Sequence, residues 1–455
     1  MGAEGYIRVG EPKVSEDRIV VFDVAYSGRA RKYFSSNRFY LEYGEDIGGL
    51  DPSILSVPAV SGVITAAWAI GADLHVETLD ETYLKSLNKM KPLMKPLFSD
   101  FSFSTEIDVG DVVFNRFDND GCGLLFTSGI DSVTSYIKHK HEKPDLIKIW
   151  GAEIPSDDEK TWRGTFGIVA DFAVREGVRL HVVRTNIPRV LKDRVLYREF
   201  GLDWWLNINH GIVLTGLCAP LTCVTNIGSL YIASGNSSFS LRSKRWNSLY
   251  NKIGWADIRV VRDNYELSRQ QKIRVFLKDY LKDNSPIFLK VCNVLPASNC
   301  GKCEKCLRTI TGLVVEGIDP NKCGFNNVDG RTLNFIKESF MKKKLLTKKW
   351  IIERKTDSRK KISESAFWRD VQKNVPEVLG DSLNGSEEFL EWFRTFDISE
   401  YMESVENDVR VPLYQFLYML VLKISNRMPR STQNATKRLL DFLVKFGDKK
   451  NTITF

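Results

Sequence analysis

The chain reads as an α/β protein built on a doubly wound parallel sheet. From residue 121 onward, short apolar runs alternate with helical patterns, as expected for parallel strands with helices between them. The run at 124–126 also passes through a tight turn of small polar residues, Thr127, Ser128 and Gly129, into a helix expected over 132–141. A strand, a small-residue turn and a helix N-terminus together present backbone N–H groups to an anion. An ordinary turn capped by Asp131 or Ser132 is the alternative for the same residues.

The elements follow in order. Residues 18–25 and 37–43 read as strands, 56–70 as a buried helix and 74–76 as a short strand. Residues 82–97 read as a helix that Pro92 interrupts, and 102–109 as a strand. Residues 1–120 therefore form a mixed α and β docking or packing domain without a chemical constellation. Beyond the loop, strands are expected at 145–151, 179–186, 229–234 and 257–261, with helices at 158–177, 204–217 and 267–280. Gly177 is the stop signal of the first of these helices. Ligands of such sheets bind outside the carboxyl ends of the strands. Those ends are Phe126 to Gly129, Trp150 with Gly151, Thr185 with Asn186, and Gly235 with Asn236.

The 455 residues allow two or three domains, and 43% hydrophobic with 27% charged residues is the balance of a soluble globular protein. A net charge of +8 permits an anionic partner without requiring one. The N-terminal 20 residues lack the pattern of a secretory signal, and the apolar stretch at 56–72 reads as too short and mixed to span a bilayer. A cytoplasmic location is expected, where eight cysteines point to thiols or metal rather than disulfides.

Cys292, Cys300, Cys303 and Cys306 are spaced C-x7-C-x2-C-x2-C. Four thiolates this close suit a tetrahedral zinc ion in a closed, structural site. An iron–sulfur cluster of the ferredoxin type would want a further cysteine at Ile310. Cys122, Cys218, Cys223 and Cys323 lie in or beside apolar runs and read as core.

The hexapeptide Thr127-Ser128-Gly129-Ile130-Asp131-Ser132 resembles the Ser-Gly-Gly-x-Asp-Ser loop of the PP-loop ATP pyrophosphatases. Thr127 keeps the hydroxyl of that family's serine. Ser128 replaces its first glycine, and a side chain there argues against φ > 0. No Gly-Lys-Ser/Thr follows, so the loop is not a Walker A loop. Together with Asn299, Cys300, Gly301, Cys303 and Cys306 in SNCGKCEKCLRT, the loop is similar to that of the 7-cyano-7-deazaguanine synthases, over residues 120–320. The flanks resemble those of extended forms encoded in bacterial anti-phage defence operons. On this resemblance, residues 121–325 form a PP-loop domain with a zinc-bound subdomain, and 326–455 a helical extension.

The resemblance implies an ATP-dependent ligase. ATP is cleaved between its α- and β-phosphates, the carboxylate of a deazapurine substrate becomes an acyl-adenylate, and an amine displaces AMP. ATP, Mg²⁺ and Zn²⁺ are the implied cofactors. Phe126 through Ser132, with Gly151, Thr185 and Asn186, would hold the nucleotide. Asp131 would contact Mg²⁺ or cap the helix. Ser132 and Lys272 would act on the phosphates, with Arg269 one turn from Lys272. His210, Asn236 and Arg308 would meet the substrate, against the ordinary alternatives of a core histidine, a turn asparagine and a structural arginine. The extensions suggest a partner protein as the amine acceptor, with the plain nitrile synthase, a tRNA-modifying enzyme and a zinc-stabilised binding subunit as alternatives. Residues 341–361, with ten Lys or Arg against two acids, allow nucleic-acid contact, but an exposed basic helix is favoured.

Overall fold

The structure is a computed structural model and describes residues 5–235, 249–283, 286–292, 294–341, 360–377 and 385–401. Asn236, most of the basic stretch at 341–361 and the apolar stretch at 411–424 lie outside the described residues. The chain divides into two compact units, Met1–Cys300 with Lys322–Gly324, and Gly301–Asn321 with Phe325–Phe455.

The first unit is α/β, with a mostly parallel sheet. Its twelve strands are β1 (Tyr6–Val9), β2 (Lys13–Ser15), β3 (Ile19–Tyr26), β4 (Arg38–Tyr43), β5 (Asp73–Asp80), β6 (Ile107–Val113), β7 (Gly121–Leu125), β8 (Asp145–Trp150), β9 (Leu180–Thr185), β10 (Ile227–Ala233), β11 (Gly254–Trp255) and β12 (Ile258–Asp263). They run in the order β11-β12-β10-β7-β8-β9-β4-β3-β1-β5-β6, with β2 paired to β3. Strands β12, β10, β7, β8 and β9 are mutually parallel. From β7 the chain steps outward through β8 and β9, then returns to the other side of β7 for β10 and β12. That reversal makes the carboxyl ends of β7 and β10 a topological switch point, the place where ligands of such sheets bind.

The N-terminal strands are not a separate sheet. Antiparallel pairing of Leu41, Glu42 and Tyr43 with Thr185, Arg184 and Val183 joins β4 to β9, so the boundary expected near residue 120 falls inside one unit. Pro52–Ile70 is the central helix of this half. Asp51 caps it by accepting from the Ser53 amide, Pro52 opens it, and Gly71 closes it at φ 73. By length and composition this helix and Trp205–Val224 could each cross a membrane, which corrects the expectation for the first. In the fold they are 100% and 78% buried, and the core explains their apolar character.

Two other expectations shift. Pro92 does not break its helix, which runs Glu81–Met94; it is exposed and falls in the last turn, so its lost bond and ring clash disturb only the turn behind it and the helix ends two residues later. The strand expected at 102–109 starts later, at Ile107. The amides of Ser102 and Phe103 first bond the carbonyls of Ala69 and Trp68, and Phe103 turns the chain at φ 53. In the second unit, Glu304–Val315, Gly330–Met341, Lys360–Lys373 and Ser386–Thr395 are helices. Phe340, Trp368, Phe393 and Tyr401 form an aromatic cluster there.

His181 on β9 stabilises the join between the two halves of the sheet. Its Nδ1 meets Glu45 and its Nε2 meets Asp145 at 3.1 Å, and its side chain is 6% exposed. Burial opposes the charged ring, but hydrogen bonds and charge from the two carboxylates outweigh it and raise the pKa to about 9. Because the folded value lies above the ordinary 6.5, this stabilisation is complete below pH 6.5 and is lost as pH rises through 9. Its full size is roughly 3 kcal/mol. Urea midpoints should therefore fall between pH 6.5 and 9 in the wild type, and His181→Gln should flatten that fall while lowering stability at pH 6 by about 3 kcal/mol.

Candidate functional site

The loop leaves β7 at Phe126, whose amide bonds the Ile147 carbonyl at 2.9 Å. The Phe126 side chain packs against Tyr136 and Phe172, so it braces the loop from below. Ser128 adopts φ 62. The sequence argued against φ > 0 there, and the tertiary fold overrides it. The left-handed conformation costs a non-glycine residue roughly 1–2 kcal/mol. Two bonds offset this cost: the buried Ser128 hydroxyl donates to the Phe288 carbonyl at 2.8 Å, and the Lys290 amide donates to the Ser128 carbonyl at 2.8 Å. Gly129, at φ −78, caps the helix Ile130–His139 in extended conformation. The Ser132 hydroxyl turns back into the loop, 3.3 Å from both the Thr127 amide and the Thr127 hydroxyl.

Asp131 does not cap that helix. Its Oδ2 accepts from Arg269 at 2.6 Å and its Oδ1 from Lys272 at 3.1 Å. Ser268 positions both cations by starting their helix with a reciprocal capping box with Gln271. Lys272 is 1% exposed and also donates to the Ser234 carbonyl, and Arg269 reaches the Gly235 carbonyl at 3.3 Å. Burial works against the Asp131 charge, but Arg269 and Lys272 outweigh it and bring the pKa down to about 2. The pairing is thus complete above about pH 4 and is lost as pH falls through 2.

Arg262, which the sequence did not single out, completes the cluster. It lies on β12, donates to the Ser234 hydroxyl at 3.3 Å and stacks its guanidinium 4.9 Å from the Tyr250 ring centre. Its charge is felt at His210, where burial first and Arg262 second lower the pKa to about 4, leaving the imidazole neutral at pH 7. A Cβ on Gly211 would stand 2.0 Å from the Tyr250 ring, so the missing side chain at Gly211 is what makes room for the ring that stacks on Arg262. Arg269 and Lys272 pair with Asp131 and Arg262 feels its charge, so among the described residues three cations share this one carboxylate, an excess of positive charge. Such an excess at strand ends favours a polyanion. Turns of π-helix at Trp205–Asn209 and Ile273–Leu277 adjoin His210 and Lys272, and such turns are frequent at functional sites.

Four expected site residues have other roles in the structure. Thr185 donates to the Tyr40 carbonyl at 2.6 Å, and Asn186 accepts from the Tyr40 amide at 3.0 Å, so both join β9 to β4. Gly151 keeps β8 close to β9, since a Cβ would stand 1.8 Å from the Thr185 carbonyl oxygen. Arg308 is used within the second unit, held by Glu304 at 2.7 Å and stacked over Phe367 at 4.5 Å.

The sulfur atoms of Cys292, Cys300, Cys303 and Cys306 all lie within 4.8 Å of one another, a cluster that can hold a metal ion such as zinc. Cys292 ends an extended segment rather than a named strand. Asn299 organises that segment, accepting from the Val291 and Cys292 amides at 3.1 Å each and donating to the Leu289 and Gly324 carbonyls. Burial disfavours the Cys292 thiolate, but the amides of Leu295, Cys300 and Val294 outweigh it and lower its pKa, which suits a ligand. Cys122, Cys218, Cys223 and Cys323 are buried, as expected.

Two outcomes follow. Ser128→Ala keeps the φ cost and loses the hydroxyl bond, so it should destabilise by about 1–2 kcal/mol, whereas Ser128→Gly loses both and should stay within about 1 kcal/mol of wild type by chemical denaturation. Elemental analysis should find one zinc per chain, and Cys303→Ser or a chelator should lower the melting temperature; metal-free protein of full stability would exclude the site.

Comparison with family models, with curated proteins and with solved structures gives no match for this chain.

Proposed function

We propose that the protein is an ATP-dependent adenylating enzyme of the PP-loop class that activates the carboxylate of 7-carboxy-7-deazaguanine or a close analogue. The observation that carries this reading is the excess of positive charge around Asp131 at the switch point, beside a loop of the pyrophosphatase pattern. Ser128 also supports it. Its φ of 62 removes the reason for expecting a crippled loop, and with it the specific argument for a catalytically silent binding subunit.

In this reading the loop amides and Ser132 bind the phosphates next to the helix N-terminus. Arg262, Arg269 and Lys272 neutralise the charge that grows as the substrate carboxylate attacks the α-phosphorus and the bond to pyrophosphate breaks. Asp131 orients Arg269 and Lys272 and would be the carboxylate to hold Mg²⁺, which when bound would add further neutralisation of the phosphates. The neutral imidazole of His210 can accept a proton from the incoming amine, whose attack on the acyl-adenylate releases AMP. The four-cysteine cluster holds zinc as a structural element. The proposed acceptor is an amine of a partner protein, for which chain outside the loop-bearing sheet offers a docking surface that positions the nucleophile.

Asp131→Ala would leave the buried Lys272 with neither counter-ion nor side-chain acceptor, at a cost of about 3–5 kcal/mol, whereas Asp131→Asn keeps an acceptor oxygen beside it, so Asp131→Asn is the more informative change. Wild type should convert ATP to AMP and pyrophosphate with substrate present, and Asp131→Asn and Arg262→Gln should each lose at least tenfold in rate. Release of ADP would defeat the reading. Mass spectrometry of a co-purified partner should show the added deazaguanine acyl mass; efficient nitrile formation with an unmodified partner would decide for the plain synthase.

A further inference from the structure

Lys148 is a cation that the site as described does not use. It lies on β8 and is 7% exposed. Among the described residues no carboxylate forms an ion pair with its ammonium and no acceptor takes a hydrogen bond from it; the nearest defined partner is the Trp162 ring, at 5.4 Å. Cation–π contact at that distance is worth ~1 kcal/mol, well below the cost of holding a charge away from water. Charged side chains this deeply buried are almost always paired. The surroundings add no anion at close range: exposed Glu153 attracts Lys148 only weakly, and Lys290 repels it. Burial, with that repulsion, pushes Lys148 down to about 8.

Its position relates this charge to the loop. Ile147, the preceding residue, accepts the amide of Phe126, so Lys148 stands level with the point where β7 opens into Thr127 and Ser128. Lys290, close enough to repel Lys148, bonds the Ser128 carbonyl through its own amide. The loop is therefore approached by a cation from β8 as well as by Arg262, Arg269 and Lys272 from β12 and the helix after it.

We infer that Lys148 receives an anionic oxygen group of a bound ligand beside the loop and is a further substrate-positioning residue. This rests on the adenylation reading, which supplies two sources for that group: the carboxylate to be activated, or a phosphate of ATP. Either would place the counter-charge that the buried ammonium lacks, next to the amides that hold the polyphosphate.

The test is calorimetric titration of the full chain with 7-carboxy-7-deazaguanine and, separately, with Mg²⁺ and ATP, for wild type, Lys148→Met and Lys148→Arg. Lys148→Met should weaken one of the two ligands at least tenfold, and Lys148→Arg should recover most of the loss. A loss confined to the deazaguanine acid assigns Lys148 to the carboxylate, and a loss confined to ATP assigns it to a phosphate. Wild-type binding that Lys148→Met leaves within twofold for both ligands overturns this inference alone. Wild-type protein that binds neither ligand overturns the adenylation reading and this inference with it. Melting temperature gives a second measure: Lys148→Met should melt no lower than wild type, and a fall of several degrees would reveal a structural partner and overturn the assignment.

Discussion

The buried ion cluster around Asp131 is the constraint that organises the first unit. Lys272 is 1% exposed, and a charge so placed is tolerable only with a close counter-ion and further hydrogen bonds. Asp131 supplies the charge and Ser234 the carbonyl. Those two residues come from the loop after β7 and from the end of β10, the strands that flank the switch point. The loop, the end of β10 and the helix beginning at Arg269 must therefore come together before any of them is stable in place. The excess positive charge among the described residues is what makes these strand ends suited to a polyanion.

The loop depends on a second set of contacts. Ser128 is held at φ 62 by the carbonyl of Phe288 and the amide of Lys290. The segment that supplies them runs on to Cys292 and is organised by Asn299. A cysteine cluster that can hold a metal ion thus lies a few residues from the groups that set the loop's conformation. This gives the cysteines a consequence beyond local stability: whatever orders Cys292 also orders the partners of Ser128.

The N-terminal strands have a comparable role on the other side of the sheet. Thr185 and Asn186 stand at a strand end where ligands are expected, yet Tyr40 takes their hydrogen bonds. His181, between Glu45 and Asp145, secures the same join. The added strands convert one edge of the parallel sheet into an interior position, which leaves the strand ends of β7, β10 and β12 as the place for a ligand.

Much was legible from local chain chemistry. The alternation after residue 121, the stop at Gly177 and the cysteine spacing act over a few residues, and each lies in the structure where those short-range rules put it. Long-range contacts decided the rest. Ser128 takes a conformation its own side chain disfavours, because bonds from 160 residues away offset the strain. Arg262 sits in a strand whose pattern signals only burial, and Tyr250 and Ser234, brought beside it by the sheet, turn it toward Asp131. Arg308 is held by Glu304 one turn earlier on its own helix and stacks over Phe367, which a helix distant in sequence brings beside it. Sequence alone determined which residues could carry charge, metal or a tight turn, because those are properties of side chains and their near neighbours. Only the tertiary structure decided which charges face one another, because that depends on the order in which the strands lie side by side.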